Sequence, residues 1–337
     1  MILVKHLRIN MEKNFLKIAG NIHLSYYIEA ADILGLKYEI LVHGLMAKFS
    51  IENKHWYIIN TVTPLVPTPS TTICKRKNLT HLVLEKHGIA TPKQEILTCE
   101  IDAIKFFNNH KDIVIKPTQQ LGGKGVSILP QNEQQVLNAF KNAFETSHAP
   151  SDSKKVIGEE FIHGENYRFL TLGEKVIGIV RRKAAHVVGD GQSTIRELIE
   201  KENERRKKNI MLPIVIDNEV TLKLQREDMN LDFIPQKDQE VILRYNCNLT
   251  TGGTTEECAN QVHDYYKQLA IKAVKAVGSE FGGVDIIAKD ITKPEKCAVN
   301  EINYNPGLRL HYKVDKGEQV KVAVPIMEYI RDKYLNS

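Results

Sequence analysis

The sequence predicts an α/β chain of the α+β kind, with an N-terminal lobe followed by a larger body in two α+β parts. Three observations predict it. Strand-like and helical runs alternate between Gln94 and Phe161, and a longer region from Tyr167 to Tyr334 again mixes strands with helices. Ahead of both lies Thr63 to Thr71 (TPLVPTPST), whose three prolines read as a connector between lobes.

In chain order, Asn21 to Leu34 is amphipathic at helical spacing and Tyr38 to Val42 reads as a strand. Ala47 to Ile51 (AKFSI), a turn-like ENK and His55 to Asn60 (HWYIIN) predict a β-hairpin. Asn78 to His87 reads as a helix stopped by Gly88, with Pro92 shortly beyond. A strand at Gln94 to Leu97, a helix at Ile101 to Asn108 and strands at Asp112 to Lys116 and Gly125 to Leu129 follow. A helix at Glu133 to Phe144 and a strand at Val156 to Phe161 complete that lobe. The last region is expected to hold strands at Tyr167 to Leu172, Lys175 to Arg181, Glu240 to Arg244, Gly282 to Ala288 and Cys297 to Ile302. Its helices are expected at Ser193 to Lys208, Val262 to Val277 and Val320 to Tyr334, and no internal repeat or low-complexity tract appears.

Composition narrows the function classes. A length of 337 residues allows about two domains, and 42% hydrophobic with 26% charged residues describes an ordinary globular protein. The net charge of +5 gathers most densely at Arg205-Arg206-Lys207-Lys208, which reads as a solvated helix end rather than a nucleic-acid surface. Five scattered cysteines without a C-x-x-C pair favour reduced thiols in a cytoplasmic setting. The opening MILVKHLRINMEKNF is too soon interrupted for a signal peptide, and no apolar stretch is long enough to span a membrane.

Chemistry-bearing residues gather in four places. Gln119 to Ile128 (QQLGGKGVSI) is a Gly-rich turn between two β-rich runs, with Lys124 at its tip. It lacks the Ser or Thr of a Walker loop and the third small residue of a dinucleotide fingerprint, so taken alone it reads as a solvated hairpin. Its glycines nonetheless allow several N–H groups to converge on an anion. Near the C-terminal end, Asp285 sits in an apolar strand (GGVDIIAKD), and Glu301 and Asn303 share one face of another (AVNEINYNPG). A carboxylate there must be paired or metal-bound, and the trio offers hard oxygen ligands suited to Mg²⁺ with a nucleotide's phosphates. A hydrogen-bonded buried acid is an equal reading for Asp285 alone. Arg244, Asn246 and Asn248 alternate into Thr250-Thr251-Gly252-Gly253 and would orient phosphoryl oxygens, or merely face water from a surface strand. In GIVRRKAAHVVGDGQSTIREL, Asp190-Gly191 signals a tight turn and Ser193 a helix N-cap, with Arg181 and Arg182 ahead of them.

The order of these segments resembles the ATP-grasp carboxylate-amine ligases, and within them the ATP-grasp regions of cyanophycin synthetase and of bifunctional bacterial glutathione synthetase. The resemblance runs from about Lys77 to His311 through KNLTHLVLEKHGIATP, VIKP, GEEFIHGENYRFL, RKAAHVVGDGQSTIRELI, LRYNCNLTTGGTTEE, VHDYY, GGVDII and NEINYNPGLRLH. AHVVGDGQSTI followed by NLTTGGT and NPGLRLH is the specific part. It implies the ATP-grasp fold: a pre-ATP-grasp substrate lobe over residues 1–75 and the ATP-grasp domain over 76–337, with a lid part at about 92–160 and a catalytic part at about 161–337.

The resemblance also implies roles. Lys77 and Lys116 match the lysines that reach nucleotide phosphates, and the loop bearing Gly122, Gly123, Lys124 and Gly125 matches the lid over the γ-phosphate. Glu159, Glu160, Phe161 and Ile162 match the hinge that receives adenine. Asp285, Glu301 and Asn303 match the metal ligands, for two Mg²⁺ ions with Mn²⁺ as a substitute. Arg182, Arg244 and Arg309 match arginines near the acyl phosphate, with Asn246 and Asn248 lining the same site. One departure is Asn166, with Glu165 beside it, where the family carries an acid for the ribose hydroxyls. The chain is also expected to be a stand-alone unit, without the further domains of either full enzyme. The expected function is an ATP-dependent ligase for small amino-acid or peptide substrates, with homodimerisation left open and neither nucleic acid nor membrane as partner. A nucleotide-binding subunit without turnover and a polyanion binder acting through Arg205 to Lys208 are the rival readings.

Overall fold

A computed structural model describes residues 13–118, 125–147, 155–209 and 211–336. Gly122, Gly123 and Lys124, and the start of the N-terminal segment, therefore lie outside the described residues. The described chain divides into two compact units, one holding the residues up to Pro64, Gly307–Arg309 and those from Lys321 on, the other Leu65–Pro306 and Leu310–Val320.

The first unit is a three-stranded antiparallel sheet, Lys37–Val42, Met46–Ile51 and Lys54–Ile59, with helices Phe15–Ala19, Ile22–Ile33 and Ala323–Leu335. Asn21 caps the second helix by accepting from the His23 and Leu24 amides (2.8 and 3.3 Å), which satisfies donors the helix cannot pair internally. Period-two burial turns Phe49, Trp56 and Ile58 inward, Leu24, Tyr27 and Ile28 of the second helix are likewise buried, and Trp56 meets Tyr334 of the last helix at 5.3 Å.

The second unit contains two larger antiparallel sheets and a two-stranded ribbon. Gln94–Leu97, Val156–Glu160, Ile113–Pro117 and Ser127–Ile128 form the first in that spatial order. Helices Glu100–His110 and Glu133–Thr146 supply Phe106, Val136, Ala139 and Phe140 to a core with Ile113, Ile115 and Val156. The other sheet has the order Thr254–Glu257, Lys175–Lys183, Glu165–Leu172, Phe281–Ala288, Cys297–Asn303. Its apolar face (Tyr167, Phe169, Ile179, Val284, Ile286, Ile302) packs on Tyr266, Ala270 and Val274 of helix Asp264–Ala276. The opposite face carries the polar side chains. Ribbon His186–Val188 with Glu240–Ile242 packs with helices Ile195–Lys208 and Asn218–Gln225 around Val187, Ile199, Val220 and Val241.

Four expectations need correction. The three-proline connector turns into a helix at Thr68–Lys75, because Pro69 falls in the first turn, where its missing N–H costs nothing. Helix Asn218–Gln225, capped by Asp217, was not expected at all. The N-cap of Ile195–Lys208 is Thr194, which forms a capping box with Glu197, while Ser193 donates its hydroxyl to Asp190 at 2.7 Å. The basic run is not uniformly solvated either: Arg206 is 1% exposed and bonds Glu202 and the Leu212 carbonyl. No helix among the described residues is long and apolar enough to cross a membrane.

Gly158, in the middle of strand Val156–Glu160, tests this packing. A Cβ there would lie 2.7 Å from Phe106 Cδ1, and Phe106 is fully enclosed. Gly158→Ala is expected to destabilise the fold by about 1–3 kcal/mol, read as a lowered denaturant midpoint at unchanged slope.

Candidate active site

A β-bulge sets the polar face of the five-stranded sheet. Asp285 pairs with Glu301 across the strands but Ile286 pairs with Val299, so Asn300 is an extra residue. Without it Val299 and Glu301 would share a face. With it Val299 joins the apolar core while Glu301, and Asn303 two residues on, turn to the polar side with Asp285. Arg168 completes the rung as the opposite neighbour of Asp285 on the other side.

Two like charges directly across strands repel unless cations intervene. Here Arg168 bonds Asp285 through Nε and, at 3.1 Å, through Nη2, and Arg182 Nη2 reaches Asp285 Oδ2 at 2.6 Å. Asn166 Oδ1 accepts from Arg182 Nε and Nη2 at 2.9 and 2.6 Å, so the amide that departs from the expected acid steers a guanidinium. Asp285 is 1% exposed. Burial alone would raise its carboxyl, but the Arg168 and Arg182 charges outweigh burial and hold it below its ordinary range. Behind Arg168, His311 is lowered to about 3, first by burial and then by the Arg168 charge, and is neutral at physiological pH. Glu301 forms no hydrogen bond or ion pair with the described side chains around it.

These groups open into a cavity of about 360 Å³ within the second unit. The four-stranded sheet contributes Lys116, whose Nζ lies 2.6 Å from Glu159 Oε2, both nearly fully buried. Gln94 donates to the same carboxylate. Glu160 at the strand's end and Phe161 and Ile162 past it continue the wall, and Lys77 enters from the start of helix Lys77–Lys86. Asn246 and Asn248 line the cavity beside Tyr245 and Cys247. Burial pushes the Cys247 thiol up to about 11, which makes it a poor nucleophile at neutral pH.

Thus Lys77, Lys116, Glu159, Glu160, Phe161, Ile162, Asn166, Arg182, Asn246, Asn248, Asp285, Glu301 and Asn303 meet in one cavity. Three sequence candidates are placed elsewhere. Arg244 is 1% exposed behind the wall, bonded to Asp217 (3.0 Å), Glu219 (3.0 Å) and the Val215 carbonyl (2.8 Å), so it supports the wall. Gly125, at φ +71°, packs beside Thr146. Arg309 belongs to the first unit, where its charge adds to burial in lowering the His23 imidazole. Sequence reasoning missed Arg168, Tyr245 and Glu219. Glu219 accepts from Arg244, from the Tyr245 amide and twice from Asn246 Nδ2 (3.0 and 2.8 Å), which leaves the Asn246 amide little freedom.

The donor set suits a hard divalent cation. Among the described residues no group of three His, Cys, Asp or Glu side chains is placed to hold a metal, so protein ligands alone would not complete a shell. Two carboxylates and an amide at Asp285, Glu301 and Asn303, completed by phosphate oxygens, fit the way Mg²⁺ is bound with nucleotides.

An antiparallel sheet bearing buried arginine–carboxylate pairs, with a second sheet contributing a buried lysine to the same cavity, defines an α+β protein with a densely charged cleft. Residues 75–196 match the ATP-grasp (A) domain of phosphoribosylglycinamide synthetase, and residues 186–330 match the RimK-like ATP-grasp domain. The chain belongs to the ATP-grasp family, and membership implies ATP binding and use of a divalent metal. It is 32% identical over 271 residues to the glutathione biosynthesis bifunctional protein GshAB of Listeria monocytogenes, covering 78% of this chain and 35% of the relative. It is 30% identical over 264 residues to cyanophycin synthetase of Synechocystis, covering 75% and 30%. The crystal structure of a bifunctional glutathione synthetase from Pasteurella multocida superposes with a TM-score of 0.65 at 27% identity, over 92% of this chain and 44% of that one. The chain thus spans about a third of the length of these curated relatives.

The Asp285 pairs predict a pH signature. A carboxyl lowered on folding stabilises the protein fully above its unfolded value, near 3.8, and loses that contribution as pH falls through the lower folded value. Asp285→Asn is therefore expected to cost about 3–5 kcal/mol at neutral pH, because it strands buried guanidinium charge. The gap from wild type should close below pH 3.8 in denaturant titrations run across pH.

Proposed function

We propose that the chain is an ATP-dependent carbon–nitrogen ligase that joins an amino-acid or peptide carboxylate to an amine and releases ADP and phosphate. The observation that carries this is the convergence of the Asp285–Glu301 rung, Asn303, Arg182, Lys77 and Lys116 on one cavity. A carboxylate is a poor electrophile, and its oxygen must first take the γ-phosphoryl group, with ADP leaving. The amine nitrogen then attacks the carbonyl carbon, loses a proton, and phosphate departs as the amide forms.

Each step develops charge on oxygen, and the cavity supplies donors for it. Lys77 and Lys116 would neutralise the transferring phosphoryl oxygens, and Arg182 would offer a planar donor to the tetrahedral oxyanion. The hinge from Glu159 to Ile162 would receive the base. Asp285, Glu301 and Asn303 would hold Mg²⁺, as two ions and replaceable by Mn²⁺, which supplies electrophilic stabilisation to the phosphates when bound. The likeness to glutathione biosynthesis proteins and cyanophycin synthetase supports small amino-acid or peptide substrates.

Pools of amino acids and short peptides with ATP and Mg²⁺ should release ADP and phosphate only where carboxylate and amine are both present, and the product's mass identifies them. ATP-induced thermal stabilisation without ADP release from any pool would favour a binding subunit instead. Glu301→Ala is expected to abolish turnover, a loss of at least about 10³-fold if metal-stabilised phosphoryl transfer is removed, with the folded state intact. An active Glu301→Ala enzyme overturns the metal assignment.

A further inference from the structure

Two stretches that line the cavity share no β-ladder. Ser127–Ile128 is a two-residue edge strand paired only with Ile113–Pro117, and Tyr245 lies beyond Glu240–Ile242, which pairs in the separate ribbon. So short a strand is weakly held. Its exit is strained as well, since Leu129 sits at φ +52°, a region disfavoured for a side chain with Cβ, secured by a bond from its amide to Ile113 O at 2.8 Å.

Arg226, directly after helix Asn218–Gln225, bridges the two stretches. Its Nη1 donates to the Ile128 carbonyl at 3.0 Å and lies 3.3 Å from the Tyr245 hydroxyl, and its guanidinium carbon is 5.6 Å from the Tyr245 ring centroid. The same ring receives Lys223 Nζ at 5.1 Å and meets Phe161 of the hinge edge-on, at 6.1 Å and 79°. A planar fork can serve a carbonyl, a hydroxyl and a π-face together, which an ammonium cannot. Ile128, Phe161 and Tyr245 all face the cavity.

We propose that Arg226 is a positioning residue for the nucleotide: it holds the Ser127–Ile128 edge strand to the Tyr245–Phe161 side and so sets the gap that receives the base. Arg226 does not line the cavity and touches no reacting group. The role rests on the nucleotide-site reading above, whereas the tie itself is a property of the ligand-free chain.

Two measurements on the full chain separate these. In Arg226→Gln without ligand, the Leu129 amide is expected to exchange with solvent about tenfold faster while the thermal midpoint stays near wild type, since only a local opening is eased. ATP–Mg²⁺ affinity by calorimetry should fall about tenfold, the loss expected for a charge-assisted bond, and the ATP KM should rise with kcat held. Tyr245→Phe, which keeps the ring and loses only the hydroxyl, should move both readouts less. Unchanged Leu129 exchange overturns the tie whatever ATP does. Faster exchange with unchanged ATP affinity overturns the positioning role. A wild-type protein that binds no ATP overturns the nucleotide reading, and the role with it, while the exchange data still report on the tie.

Discussion

The Asp285 carboxylate, held between the Arg168 and Arg182 guanidinium groups, is the interaction on which the polar face of the five-stranded sheet depends. An aspartate in the central run Phe281–Ala288 would normally neutralise itself by taking a proton. Arg168 from the adjacent strand and Arg182 from the strand beyond it keep it ionised and fix both its oxygens. The same pairing makes the face tolerable for arginine. Arg168 is 6% exposed and has little access to water, so its charge depends on Asp285 as much as the reverse.

Because the pair is buried, its value lies in orientation more than in net stability. A hydrophobic rung of equal volume would hold the sheet as well but would leave Glu301 facing nothing. The bulge at Asn300 matters for the same reason, since it lets one strand serve an apolar core and a polar cavity within three residues. Arg182 is divided between Asn166 and Asp285, so any anion that recruits it must compete with two partners already in place.

Much of the fold was legible, because strands and helices of the second unit have strong periodicity and clear stops. The acids Asp285 and Glu301 were legible too, since a charge in an apolar strand demands a partner. Arg168 obeys the same rule within Tyr167–Leu172 and could have been found by it. Helix Asn218–Gln225 was missed because NEVTLKLQ is short and carries β-branched residues at helix-neutral positions, although Asp217 is a recognisable cap. The misplacement of Arg244 has a definite cause. Alternation puts residues 244, 246 and 248 on one face only while the chain is a strand, and the strand ends at Ile242. Past that point Arg244 turns inward to Asp217 and Glu219, acids supplied by the very helix that was not foreseen. Contacts across about a hundred residues, such as Arg226 to Ile128, leave no periodic trace at all.

On the proposed reading, charge balance among the described lining residues ties the candidate metal trio to the lysines. Among the described lining residues, Lys77, Lys116, Arg168 and Arg182 are matched in number by Glu159, Glu160, Asp285 and Glu301. The described lining residues thus offer no excess attraction to a triphosphate with several negative charges, and three of the cations are already paired, Lys116 with Glu159 and both Arg168 and Arg182 with Asp285. Further positive charge would, on the proposed reading, arrive with the nucleotide as its divalent cation. Glu301, which forms no hydrogen bond or ion pair with a described side chain and is balanced only by the nearby Arg168 charge, is on that reading where an incoming divalent cation would gain most. On this view nucleotide and metal would bind well together and poorly apart.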